Sequence, residues 1–218
     1  MNQIKQYFTS IGPRRFIGML IGNLIIGVGC AFFKWSSMGN DPFSACGMSL
    51  SALTGIPYGP FIALYNVAFF VIQLAFGRKY IGAGTLVNWF GLGYFTQGTY
   101  DLLIQLGEPQ SFLSRLGIMF IGVLVICLGV SLYQTSDTGI APYDSLSIIM
   151  HDRMHIPYFW CRMFTDSICA LVCFLTGGLL GLGSLLSALG MGPVIHLYDE
   201  FVSQKVLRHR LGDQTISS

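Results

Sequence analysis

Met38-Gly39-Asn40-Asp41-Pro42-Phe43-Ser44 and its partner Thr138-Gly139-Ile140-Ala141-Pro142-Tyr143-Asp144, 100 residues further on, decide how this chain is read. In each run a glycine permits a sharp turn. A proline then opens a helix at the one place where its missing N–H costs nothing. Asn40 or Asp41 is placed to cap the first of these helices by accepting backbone N–H bonds. The register extends in both directions. Gly29 matches Gly129, Ile56-Pro57-Tyr58 matches Ile156-Pro157-Tyr158, and Gly77 matches Gly177. After a one-residue deletion, Gly91-Leu92-Gly93 falls on Gly190-Met191-Gly192 and Asp101 on Glu200. A duplicated hydrophobic unit is a mark of transporter folds whose site lies between two halves.

Hydrophobic residues make up 53% of the 218 residues and charged ones only 10%, against about 25% charged in a soluble domain. Mean hydropathy is +0.62. This is the composition of an integral membrane protein. The first apolar stretch follows Arg14-Arg15 and lacks a small-residue cleavage site, so it reads as a retained helix. The net charge of +2 singles out no partner, and no Lys/Arg stripe points to nucleic acid. Cys30, Cys46, Cys127, Cys161, Cys169 and Cys173 lie in or beside apolar segments without a CxxC pair. They read as small buried hydrophobes, with neither disulfides nor a metal site expected, and no cofactor.

About 20 apolar residues cross a bilayer. Spans are expected near 15–34, 57–77, 82–105, 115–134, 157–176 and 180–203, with segments 42–54 and 142–151 too short to cross. With a cytoplasmic N-terminus, Lys5, Arg14, Arg15, Arg78, Lys79, Arg153, Lys205, Arg208 and Arg210 fall on the cytoplasmic side, as the positive-inside rule requires. Lys34 and Arg115 are the exceptions. Three crossings per half is an odd number, so the second half enters upside down. The expected fold is therefore all-α: six transmembrane helices in two inverted three-helix repeats, each with a short re-entrant or interfacial helix. We expect one membrane domain over 1–218, with repeat 1 near 13–105, repeat 2 near 113–203 and a cytoplasmic tail at 204–218. The location is a bacterial inner membrane, multi-pass, with both termini cytoplasmic.

Two readings of the breaks stay open. They either re-enter the membrane and meet near its midplane, presenting helix N-termini to a solute, or lie flat at the interface as connectors. On the first reading Asp41, Pro42, Phe43, Ser44, Pro142, Tyr143 and Asp144 line a substrate site, together with Asn66 and Asn88. Buried polar groups in spans are costly, which makes Asp166, halfway along its span, a candidate coupling carboxylate. Arg162 lies one turn before it on the same face, placed to pair with it. The competing reading is a structural ion pair. Asn88 and Ser187, at matching positions, serve equally as interhelical glue. The glycines Gly18, Gly22, Gly82, Gly84, Gly91, Gly93, Gly181, Gly183, Gly190 and Gly192 read as packing seams. Tyr58, Trp89, Tyr94, Tyr158 and Trp160 line a cavity or anchor at the interface.

The G-x-x-P-[FY] break, the Gly55-Ile56-Pro57-Tyr58-Gly59 run and the glycine-rich third span resemble the YczE/YyaS/YitT group of bacterial membrane proteins. The resemblance covers almost the whole chain. It implies a compact multi-span bacterial membrane protein. It carries over no substrate and no catalytic residue.

The functional expectation is a secondary transporter or permease for a small organic solute, zwitterionic or cationic, since the break acids repel a simple anion. The alternatives are the substrate-binding subunit of a vitamin-type uptake system and a small dimeric ion channel. An enzyme is not expected. There is no G-x-S-x-G and no HExxH, and His151, Asp152 and His155 fall in a solvated turn. Expected partners are the lipid bilayer, a small-molecule solute and a second copy in a homodimer.

Overall fold

A computed structural model describes residues 12–178 and 181–207. Lys5 and the expected tail beyond 207 lie outside them. Every described element is helical. In chain order they are α1 (Pro13–Ser36), α2 (Pro42–Thr54), α3 (Tyr58–Phe76), α4 (Ala83–Leu86), α5 (Leu92–Leu103), α6 (Phe112–Thr135), α7 (Pro142–Met154), α8 (Tyr158–Leu175), α9 (Leu182–Tyr198) and α10 (Gln204–Leu207). A π turn, Val87–Gly91, joins α4 to α5, and another, Asp199–Ser203, joins α9 to α10. Among the described residues α1, α6 and α8 are long and apolar enough to cross a membrane, and α3 carries a shorter apolar stretch.

The centre of the fold is the crossing of α1 with α6. A Cβ on Gly22 would stand 2.7 Å from the Tyr133 nitrogen and 3.0 Å from the Gly129 carbonyl oxygen; one on Gly29 would stand 2.7 Å from the Ile126 nitrogen and 2.9 Å from the Gly122 carbonyl oxygen. Gly22 therefore faces Gly129, and Gly29 faces Gly122. The helices run antiparallel, and the contact maps onto itself when the two copies of the sequence are exchanged. Small residues permit this approach because any side chain would strike the opposite backbone. Ile26, Val123, Ile126 and Val130 fill the remaining core around the crossing.

Because α1 and α6 are antiparallel, the breaks that follow them lie at opposite ends. At one end Arg15 donates to the Ser136 and Asp137 carbonyls, both at 2.7 Å, and pairs with the Asp137 carboxylate at 3.2 Å. This satisfies carbonyls that the end of α6 leaves without helical partners. Arg14 donates to Val206, Lys79 Nζ lies 2.5 Å from Asp152, and Arg153 stacks on Phe76. Ile140 N–H donates to the Tyr80 carbonyl, which ties this group together. Arg14, Arg15, Lys79 and Arg153 thus gather at a single end.

Each break is held by the other half of the chain. The Gly183 N–H donates to the Met38 carbonyl at 3.0 Å, and the Gly84 N–H donates to the Thr138 carbonyl at 2.9 Å. Ser184 Oγ donates to the Asn40 carbonyl at 2.5 Å, and Thr85 Oγ1 to the Ile140 carbonyl at 2.8 Å. Ser184 and Thr85 occupy matching positions. Gly39 (φ 128°) and Gly139 (φ 114°) take conformations that residues with a Cβ rarely adopt, and Gly139 also sits where a Cβ would be 2.6 Å from the Gly82 backbone. Gly84 and Gly181 receive the loop of the opposite break, whereas a Cβ on Gly183 would meet Phe33 of α1 at 2.8 Å and Met119 of α6 at 3.0 Å. Gly93 and Gly190 meet nothing within 4 Å.

Candidate functional site

Helices α2 and α7 each begin at the expected proline, and they meet head to head. The rings of Phe43 and Tyr143, which occupy matching positions, have centroids 4.6 Å apart. Tyr65 and Phe69 of α3 pack around them, with Tyr65 stacked on Phe43 at 5.0 Å. Asp41 caps α2, accepting from the Ser44 N–H at 3.0 Å. At the matching position α7 has Ala141, whose side chain cannot cap. There the Ala141 N–H itself donates to Tyr133 Oη at 2.7 Å, so a tyrosine of α6 anchors the start of α7 without capping its first turn.

Tyr133 is the entry to a buried polar network. Its hydroxyl donates to Asp144 at 3.0 Å. Arg162 Nη1 donates to the other Asp144 oxygen. Arg162 Nε donates to Asp166 at 3.1 Å, and the Tyr143 hydroxyl donates to the remaining Asp166 oxygen at 2.5 Å. Each carboxylate therefore accepts one N–H from the same guanidinium and one O–H from a tyrosine. Asp166 is 1% exposed and Arg162 6%. Two carboxylates face one guanidinium, so with both ionised the group carries one negative charge in excess. An uncompensated charge in such surroundings is costly, and a proton or a cation removes the cost.

Gln134 and Tyr158 adjoin this group. Tyr158 lies within the electrostatic reach of Arg162, Asp144 and Asp166, with Gln134 beside it. The Tyr158 hydroxyl and the Gln134 side chain lie within reach of each other, and neither the hydroxyl nor Gln134 Nε2 has any other partner, although both atoms are buried. Buried polar atoms with so few partners are uncommon and usually meet a water or a ligand.

The expected residues thus divide. Pro42, Phe43, Pro142, Tyr143, Asp144, Arg162 and Asp166 come together at the meeting of α2, α7 and α8. Asp41 and Ser44 sit half-buried at the start of α2, with Tyr58 beside Ser44. Asn66 turns back onto its own helix, donating to the Ile62 carbonyl at 2.9 Å. Asn88 lies apart, donating to Asn23 of α1 at 2.8 Å, with Asn23 in turn held by the Met19 carbonyl. This is the interhelical bond weighed for it from the sequence. Tyr133 and Gln134 went unnoticed in the sequence because they open the polar run 133–138, which reads as the boundary of the apolar span. Their matching positions are Phe33 and Lys34, which would have drawn attention to the difference. Among the described residues no group of three or more His, Cys, Asp or Glu is placed to hold a metal.

These features define an all-helical membrane protein with a buried acid–arginine–acid network in α7 and α8. Residues 13–200 match DUF6198, a family of unknown function, and the chain belongs to that family. It is similar to an uncharacterized protein of Haemophilus influenzae, 26% identical over 85% of this chain and 84% of the relative. It is also similar to the Bacillus subtilis proteins YyaS, 25% identical over 86% and 93% of the two chains, and YczE, described as an uncharacterized membrane protein, 23% identical over 83% and 81%. The resemblance to the YczE and YyaS proteins thus holds. No solved structure matches the chain.

Proposed function

We propose that the protein is a secondary transporter or permease for a small organic solute, zwitterionic or cationic, with its site where the two breaks meet. The observation that carries this reading is the Asp144–Arg162–Asp166 network beside the buried polar pair of Gln134 and Tyr158. A charged group in the middle of a membrane is expensive, and proteins retain one chiefly where it moves or binds something. Asp166 is the coupling carboxylate, with Arg162 as its partner. Asp41, Ser44 and Tyr143 contact the solute, and Asp144 meets its positive group.

The self-matching crossing of Gly22 and Gly29 with Gly129 and Gly122 supports two inverted repeats, about 13–105 and 113–203, each crossing three times. The gathering of Arg14, Arg15, Lys79 and Arg153 at one end supports a cytoplasmic placement of that end. On this reading the protein is multi-pass in a bacterial inner membrane, its termini cytoplasmic, and its short helices re-entrant. It has no enzymatic role.

The test is uptake in proteoliposomes under an imposed proton gradient, recorded as current across a panel of amines, amino acids and neutral polyols. Saturable current with a cationic or zwitterionic solute is expected, lost in Asp166→Asn. Full coupled uptake by that variant removes Asp166 from the mechanism. Non-saturating ion flux would mark a channel, and co-purification with an ATPase would mark a binding subunit.

A further inference from the structure

Helix α9 packs along α8, whereas α3 and α5, which occupy the matching places in the first half, barely meet. The difference is sharpest at two glycines. A Cβ on Gly192 of α9 would stand 2.8 Å from the Phe159 carbonyl oxygen and 3.5 Å from Arg162 Cβ. Gly192 is therefore seated against the turn of α8 that carries the network's arginine. Gly93 of α5, its match, faces open space. Helix α5 leans on α1 instead, where a Cβ on Gly27 would meet Phe95 Cβ at 2.5 Å. The residue matching Gly27 is Cys127, whose thiol occupies that space and donates to the Met191 carbonyl at 3.9 Å. One half is thus closed over its network and the other is open.

We infer that α5 and α9 are alternating gates, and that the protein has a second conformation in which Gly93 seats on α3 near Ile62, the residue matching Arg162. This rests on the inverted-repeat reading above. Small residues in membrane helices permit close packing. Gly93, Gly98, Gly117 and Gly190 have no such contact in the conformation described, but of these helical glycines Gly93 alone matches a glycine that is seated on a neighbouring helix. In inverted-repeat transporters one repeat rocks or gates against the other around a fixed site, and here the two gating helices stand in opposite states. In the second state α9 leaves α8, which opens the network to the opposite side, while α5 closes the half-exposed site at Asp41 and Ser44.

The test pairs Ile62→Cys with Gly93→Cys in a background without native cysteines, under copper–phenanthroline in membranes, read by mass spectrometry of linked peptides. Seating brings the two Cβ atoms to the separation that Arg162 and Gly192 would have, within disulfide range. The positive control is Ser131→Cys with Ser203→Cys, whose hydroxyls are 2.6 Å apart. Cross-linking of 62 with 93 establishes the second state, even if no solute is ever found to move. Complete cross-linking of the control with none at 62–93 overturns it, whatever uptake assays give. As a second measurement, Gly93→Leu fills the seat. It is expected to lower uptake at least tenfold while unfolding at the same temperature as Gly98→Leu, whose site is equally open. With Gly98→Leu active, equal uptake by Gly93→Leu also overturns the proposal.

Discussion

The two breaks have the same backbone and different surroundings. Both turn on a glycine of positive φ, both start a 13-residue helix at a proline, and both are clasped by the other half of the chain. From Thr138 to Tyr143, however, the second break is buried throughout. The first is half-exposed at Gly39, Asn40, Asp41, Phe43 and Ser44. The second is also held by Gln73 Nε2, which donates to the Ile140 carbonyl at 2.9 Å, and by Tyr133. The polar network belongs entirely to the second half. Where it has Tyr133, Tyr143, Asp144, Arg162 and Asp166, the first half has Phe33, Phe43, Ser44, Ile62 and Asn66. A duplicated scaffold needs its backbone geometry twice but its charges only once.

The strongest way to break this comparison is to make the second half resemble the first. Arg162→Ile alone leaves two buried carboxylates facing each other and is expected to cost about 3–5 kcal/mol, the usual consequence of stranding a buried charge. Adding Asp144→Ser and Asp166→Asn should restore most of that stability while leaving uptake absent. Thermal unfolding in detergent measures the first effect, and the triple variant unfolding no higher than the single one would mean that the acids are not what Arg162 compensates.

Next in size are the hinge glycines. Gly139→Ala puts a Cβ against the Gly82 backbone at 2.6 Å in a left-handed conformation. Backbone cannot yield as a side chain can, so a loss of about 3 kcal/mol is expected. Gly39→Ala meets Ser184 Oγ at 2.9 Å and the Gly181 Cα at 3.1 Å, and should cost about half as much. Equal losses would erase the distinction between a rigid break and a looser one. Smaller again is Asn88→Leu, which removes the bond to Asn23 and is expected to cost about 1 kcal/mol. Unchanged uptake by that variant would separate Asn88 from the solute site.

The smallest effect is a pH dependence at the end of α7. Burial alone would push the Asp152 carboxyl up, but hydrogen bonds from Lys79 and Tyr80, together with the Lys79 charge, hold it below its ordinary value. A carboxylate lowered on folding stabilises the protein above the ordinary carboxylate range. That stability is lost as pH falls through the lowered value. Because the pair is partly exposed, about 1 kcal/mol or less is at stake. The unfolding temperature of Asp152→Asn should fall less on acidification than that of the unaltered protein. Parallel curves would show that the tether contributes nothing.

Much of this fold was legible in the sequence because it is written in glycine and proline, whose effects are local. Pro42 and Pro142 start their helices where expected, and Gly39 and Gly139 make the turns. The helix ends near 36, 54, 76, 135 and 175 follow from apolar runs and their breakers. The pairing of Arg162 with Asp166 followed from helical spacing alone, since residues four apart share a face. What lay beyond reach was everything that depends on contacts between distant segments. No spacing rule indicates that Tyr133 anchors the Ala141 N–H, that Asp144 shares Arg162 with Asp166, or that the Gly84 and Gly183 N–H groups clasp the opposite breaks. Nor does the repeat announce its own asymmetry at Gly93 and Gly192, because matched residues look equivalent until their neighbours are known. The sequence by itself determined the helices, their breaks and their membrane character, through local sterics and the cost of polar groups in hydrocarbon. Only the tertiary structure decided which polar side chains face one another, because a buried charge is settled by the partner the fold brings to it.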